Sequence, residues 1–472
     1  MSSIPRTDAS EANAHSSVAS GRPILALITR LHFFAGLFIG PFILLAAFSG
    51  LLYAITPQLE NWLYSEHLYT DSQGPTVPLA AQIEAAHAHL GGSAASLAAV
   101  RPAPEAGHTT RVMFAVDGLK DYEHRAVFID PVTVASRGDL TVYGTTGVLP
   151  VRNWIGDLHR RMFLGDWGRL YSELAASWLW LIALGGLTIW LSRSRYSHPI
   201  VSGQAPRLRH WHGLVGVALL IALLFFSATG LTWSKWAGEN IGIARAAFNM
   251  STPGLSTRLP GQGEAVDEHG DHHHETVMAD TVVDYSIVDE ILANARAAGI
   301  DASKLEITPA LSSSHAWSVV EIDRSWPTQV DAVAIDPRSM AVVDQIIFND
   351  FPVAAKLTRW GIDAHMGSLF GLVNQLILIV SALGVLAMVL MGYLIWWRRR
   401  PTRKTDRQGV LETWGRLTPS GRAGLAVIAL LLGISIPVFG ASFLLLLSVD
   451  VIAGSLKRRA KNRKQSQRIA AR

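Results

Sequence analysis

The chain has 472 residues and no cysteine. That absence excludes disulfides, zinc–thiolate sites, cysteine-ligated iron–sulfur clusters and the thioether attachment of c-type haem. Any redox chemistry must use a cofactor held by other ligands. Charge is scarce as well: charged residues make up 17% of the chain against 49% hydrophobic, and the mean hydropathy is +0.26. Soluble chains carry about 25% charged residues, so the composition points to a membrane. No Gly-rich dinucleotide fingerprint follows a strand, which argues against a fused nicotinamide domain. No general acid, nucleophile or hydrolytic constellation stands out, so no catalytic residue is assigned. The formal net charge of +4 is small, and no nucleic-acid partner is expected.

Long apolar runs are what the chain does have. Leu31 to Ile55, Leu174 to Leu191, Leu214 to Trp233 and Leu372 to Trp397 are each near or above the length that crosses about 30 Å of hydrocarbon. A fifth stretch covers Gly424 to Gly454. The first is too long and too far from the terminus for a cleaved signal peptide. The linker from Arg193 to His210 carries four arginines and no acid, and the stretch after Trp397 reads RRRPTRKTDR; the positive-inside rule makes both cytoplasmic. The segments 56–170 and 234–364 hold 12 and 19 acids against 9 basic residues each, and so should face outward. The fifth stretch suits a hairpin turning near Pro437 to Gly440, because only then does the basic tail return to the cytoplasm. Asp450, its one acid, is expected at the interface.

The expected fold is a helical integral membrane bundle of four core spans plus a C-terminal span or hairpin, with two small α+β outer domains. It divides into a cytoplasmic tail 1–29, first span 30–55, first outer domain 56–171, second span 172–192, cytoplasmic loop 193–210 and third span 211–233. The second outer domain 234–364, fourth span 365–397, cytoplasmic loop 398–421, C-terminal span or hairpin 422–455 and basic tail 456–472 follow. The setting is a bacterial inner membrane, crossed several times, with the N-terminus cytoplasmic.

This plan is repeated within the chain. Arg30 to Tyr53 matches His210 to Trp233 at an offset of 180, with His32 on His212, Gly36 on Gly216 and Gly50 on Gly230. Further on the offset is 206: Ile129-Asp130-Pro131 falls on Ile335-Asp336-Pro337, Asp157 on Asp363, and His159 on His365. The order span, outer domain, span thus occurs twice, and a pseudo-twofold axis along the membrane normal is expected. Each outer domain reads as a helix followed by strands: Leu79 to Leu90, then Val112 to Val116 and Arg125 to Ile129, and in the second Ser286 to Ala298, then Ala316 to Ile322 and Ala332 to Ile335.

Four of the 17 histidines occupy repeat-equivalent positions at membrane boundaries. His32 and His212 begin the first span of each copy at the cytoplasmic face, and His159 and His365 precede the second at the outer face. A twofold axis would oppose each pair within a bundle, an arrangement that suits the axial positions of a haem iron. Gly36 and Gly216, one turn after their histidines, leave room for a flat ring or a neighbouring helix, and Gly50 and Gly230 repeat the device. Arg30, Arg207, Arg209, Arg160 and Arg161 suit haem propionates. Asp157 and Asp363 either cap a helix or orient an imidazole. Separately, His269, His272, His273 and His274 lie in an acidic, His-rich stretch from Gly263 to Glu275, a weak outer-side metal candidate in a solvated insertion.

The boundary histidines, the Asp-Leu-His-Arg-Arg at Asp157 to Arg161, the Ile-Asp-Pro turns and the small outer domains resemble the PepSY-associated transmembrane family, over about Thr29 to Arg400. The resemblance implies an iron-regulated inner-membrane protein that binds two haem b groups and passes electrons to siderophore-bound iron. Carried onto this chain, His32 and His212 would hold a cytoplasmic-side haem and His159 and His365 an outer-side haem, a pairing inferred from the repeat. The expected partners are a ferric siderophore or another oxidised metal chelate, the lipid bilayer, and an electron donor that is a quinol, a flavin or a cytoplasmic protein. Two competing readings are a membrane-anchored PepSY module that binds peptide or regulates a protease, and a metal or siderophore transporter. Against the transporter, no span contains a mid-membrane charge or an obvious break.

Overall fold

The computed structural model describes residues 23–91, 95–120, 122–144, 147–194, 204–260, 284–310, 312–398 and 409–470. The chain falls into two compact units, one from Met1–Gly50, His159–Ala244 and Val380–Arg472, the other from Leu51–Leu158 and Arg245–Ile379.

The first unit is helical. Gly165–Ser192, Gly371–Arg398 and Pro437–Leu456 are each long and apolar enough to cross a membrane, so the protein is a multi-pass membrane protein; Gly371–Arg398 begins in the second unit. The first and third runs are not the unbroken spans expected. Each is a pair of helices, Pro23–Phe38 with Gly40–Ala54 bent by 58°, and Arg207–Ala218 with Leu220–Thr232 bent by 59°. The breaks fall at Ile39 and Leu219, 180 residues apart. At the first, Pro41 has no amide hydrogen to give the Leu37 carbonyl, and the Tyr393 hydroxyl donates to it instead at 2.6 Å. At the second, the ladder runs through the bend from Leu219 N to Val215 O and from Leu223 N to Leu219 O. Ala35, Ile39, Trp178, Leu223, Val385 and Phe439 form the core of this unit. Trp178 is fully buried and donates its indole N–H to Ser442 Oγ at 2.8 Å.

The fifth stretch forms two helices, Pro419–Ser435 and Pro437–Ala470, parted at Ile436. Thr418 caps the first by accepting from the Gly421 amide, and Pro437 opens the second, where its missing amide costs nothing. The two backbones meet at paired glycines: a Cβ on Gly440 would stand 2.7 Å from Gly433 Cα. Asp450 accepts from the Leu411 amide at 3.1 Å and so caps the short helix Val410–Trp414.

The second unit contains one antiparallel sheet of eight strands. Its strands are β1 Ser96–Arg101, β2 Thr110–Ala115, β3 Glu123–Ile129, β4 Ser136–Tyr143, β5 Leu305–Thr308, β6 Trp317–Glu321, β7 Ala332–Ile335 and β8 Val342–Ile346, in the order β4-β3-β2-β1-β5-β6-β7-β8. The two outer modules expected from the sequence are therefore joined, with Val100 of β1 opposite Ile307 of β5. The join has physical causes beyond strand pairing. One apolar core runs through both halves, uniting Ile83, Val112 and Ile129 with Ile291, Val319 and Ile335. Asp289, on the helix Val288–Ala297, accepts from the Leu79 and Ala80 amides at 2.8 and 3.1 Å and caps the helix Leu79–His89 of the other half. Arg101 binds Glu306 through Nε at 2.9 Å and Nη2 at 2.7 Å.

Candidate histidine site

His32 and His212 come together in the first unit. Their ring centroids are 6.4 Å apart with planes at 78°. His32 lies in the third turn of Pro23–Phe38 and His212 within Gln204–Ala218, so each is inside its helix rather than at the start. His32 Nδ1 lies 2.9 Å from Ile182 O, and His212 Nδ1 lies 3.0 Å from Met388 O. A carbonyl only accepts, so Nδ1 carries the proton in both rings and the lone pair is on Nε2. This is how metal-ligating histidines are oriented. Ile182 and Met388 are 206 apart, and so are Gly186 and Gly392, which make way for the rings. A Cβ on Gly186 would stand 3.1 Å from His32 Cε1, and one on Gly392 would stand 3.7 Å from His212 Cε1. Gly36 meets nothing within 4 Å, whereas Gly216 abuts the Met388 sulfur.

The spacing can be tested against a shared iron. Metal–imidazole bonds of about 2 Å on opposite sides of one ion bring two ring centroids about 6 Å apart, close to the separation found. The donor set is also suitable: two imidazoles, each with Nδ1 engaged by a carbonyl and Nε2 left to face a metal. A bis-histidine haem fits these residues.

His159 closes the helix Pro150–Arg161. Its Nδ1 is 2.9 Å from Ser49 Oγ, and that hydroxyl gives its own hydrogen to Leu45 O at 2.8 Å, so the imidazole again donates from Nδ1. The Tyr171 hydroxyl donates to the His159 carbonyl at 2.5 Å. Gly50 is explained here, because a Cβ on it would stand 3.4 Å from the His159 ring. Burial, and then the Arg160 guanidinium, push this imidazole down to about 4, leaving it neutral. His365 belongs to the second unit, in the last turn of Val353–Met366, whose end is set by Gly367 at φ 82°.

Neither Asp157 nor Asp363 begins a helix, so the capping role fails; both lie in the C-terminal halves of their helices. Asp363 is fully buried and faces Arg359 Nε at 3.1 Å. Arg30 and Arg209 lie half-buried, two and three residues before their histidines, and Arg160 is exposed. His210, next to Trp211, is exposed. His198, His269, His272, His273 and His274 lie outside the described residues. The carbonyls of Ile182 and Met388 and the glycines Gly186 and Gly392 were missed by reading side chains alone. Extending the 206 offset into the second and fourth spans would have found the glycines.

The sequence model of a PepSY-associated TM region matches residues 29–399. Among curated proteins, none matches the chain.

Proposed function

Given that the chain belongs to the PepSY-associated transmembrane family, we propose that it is a di-haem b oxidoreductase that passes electrons from the cytoplasmic side of the bacterial inner membrane to a ferric chelate outside, such as a ferric siderophore. In this reading the duplication is real, the N-terminus is cytoplasmic and the sheet unit faces outward. His32 and His212 hold one haem, and His159 and His365 hold the other. A haem iron with two imidazoles supplies one-electron transfer and has no open position for substrate. The residues of the chain do the rest. Ile182 and Met388 fix the tautomers of the first pair, Ser49 fixes that of His159, and Gly186, Gly392 and Gly50 give the rings space.

The observation that carries this reading is the opposition of His32 and His212, each oriented by a carbonyl of its own copy, Ile182 and Met388, at places 206 residues apart. The test is the absorption spectrum of the purified protein after dithionite. Sharp b-type α and Soret bands with two haems per chain are expected. A colourless protein from haem-replete cells would overturn the reading. His32→Ala and His212→Ala should remove the same centre, and His159→Ala and His365→Ala the other.

The two bent spans favour a second reading, a metal or siderophore transporter, since broken helices form substrate sites in many transporters. Such sites use unwound carbonyls. At the first bend the Leu37 carbonyl is taken by Tyr393, and at the second the ladder continues, so the reductase reading is the better supported. Uptake of a radiolabelled chelate into proteoliposomes separates the two.

A further inference from the structure

The helix that carries His365 also carries a charge imbalance. Arg359 and Asp363 lie one turn apart on it, with Arg359 Nε 3.1 Å from Asp363 Oδ2. A second guanidinium reaches the same helix end from the loop between β6 and β7: Arg324 Nη1 is 3.9 Å from the sulfur of Met366, the neighbour of His365. That loop is pinned there by Trp326, whose amide donates to Leu369 O at 2.8 Å.

Two guanidiniums offer ten N–H donors. Among the described residues, their side-chain partners here are one carboxylate and one thioether, a weak acceptor. Arg359 Nε is buried, and its contact with Asp363 is an ion pair not aligned as a hydrogen bond. Asp363 is fully buried, whereas the Arg359 side chain is 28% exposed and Arg324 is half-buried. One positive charge is therefore in excess, on guanidiniums that remain partly open to an incoming anion. A planar monoanion removes the excess and matches the guanidinium fork. The first copy has Asn153 at the place of Arg359, so this feature belongs to one copy alone.

We propose that Arg324 and Arg359 form a carboxylate-binding site beside His365. The site rests on the function proposed above for its occupant, which is either a propionate of the haem held by His365 or a carboxylate of the ferric chelate reduced there.

The experiment uses the full-length protein and its Arg324→Gln, Arg359→Gln and Arg324→Lys variants. It measures haem content, the midpoint potential of each centre, and the binding of two probes followed by tryptophan fluorescence: ferric citrate, and a ferric hydroxamate that lacks carboxylates. With a propionate in the site, Arg324→Gln lowers the potential of one centre and leaves the other unchanged. Wild-type protein reconstituted with haem dimethyl ester, which lacks the propionate charge, then shows a rise in that potential instead. With a chelate carboxylate in the site, both potentials stay, the Kd for ferric citrate rises about tenfold or more, and hydroxamate binding is unaltered. In either case Arg324→Lys, which keeps the charge without the fork, falls between wild type and Arg324→Gln. Unchanged potentials and unchanged citrate binding in a variant that retains both haems overturn the site. If the protein carries no haem, the functional reading fails and citrate binding alone decides the site. Arg359→Gln strands Asp363, so if it does not fold, Arg359→Gln with Asp363→Asn replaces it.

Discussion

The Tyr393 hydroxyl donates to the Leu37 carbonyl at 2.6 Å, the acceptor that Pro41, four residues on, has no amide to engage. Gly40 makes this contact feasible, since a Cβ there would stand 3.0 Å from the Tyr393 oxygen. Within hydrocarbon no water replaces a lost donor. Tyr393→Phe should therefore destabilise the protein by about 1–3 kcal/mol, read from unfolding in mixed detergent micelles. Pro41→Ala restores an amide to the same carbonyl, and should recover most of that loss in the Tyr393→Phe background. A double mutant no better than Tyr393→Phe would show that the bend does not depend on this bond.

Gly186 and Gly392 occupy equivalent places but do not have equal room. A Cβ at 3.1 Å from His32 Cε1 is tighter than an ordinary contact, whereas one at 3.7 Å from His212 Cε1 is ordinary. On the haem reading, Gly186→Ala should reduce the amplitude of one b-type centre in the reduced-minus-oxidised spectrum, and Gly392→Ala should leave it near wild type. Equal losses in the two variants would mean that ring clearance is not what these glycines provide.

These contacts mark how far the residues could be read unaided. The apolar runs, the family and the strands β2, β3, β6 and β7 were legible because each is a local pattern: Val112 to Val116 and Ala332 to Ile335 are continuous apolar stretches, and β2 and β7 are found there, whereas the central pair β1 and β5 was not anticipated. The edge strands β4 and β8 were missed, being half-exposed and rich in polar residues such as Ser136, Arg137, Asp344 and Gln345. The joining of the two outer modules was not legible either, because it depends on Val100 meeting Ile307 more than two hundred residues away. The bend at Leu219 has no proline to announce it, and the orienting groups of His32 and His212 are main-chain carbonyls, which no residue type advertises.

Because the two halves of the sheet share a core, they should melt as one. The Arg101–Glu306 pair, each side chain 13% exposed, lies at the join. Removing one partner of such a pair costs about 3–5 kcal/mol, while replacing both with apolar residues is often neutral. Arg101→Met should thus lower the melting temperature of the whole sheet unit, and Arg101→Met with Glu306→Met should restore much of it. Hydrogen exchange of β3 and β7 amides should rise together in Arg101→Met; faster exchange in β3 alone would show the halves to be independent.

Asp130, of the first Ile-Asp-Pro turn, gives the sheet unit a dependence on acid. Burial works to raise its pKa, but the Ser72 and Thr70 hydroxyls and the Val132 and Thr133 amides all donate to the carboxylate and together hold it well below the usual range. A carboxyl depressed in the folded state stabilises above its unfolded pKa of about 3.9, and that contribution is lost as pH falls toward the folded value. The melting temperature of the wild-type protein should therefore drop as pH is lowered from about 5 to about 3. Asp130→Asn, which cannot carry the charge, should be less stable at neutral pH and should show a shallower fall over that interval. An acid limb of undiminished slope in Asp130→Asn would assign the acid sensitivity to other carboxylates.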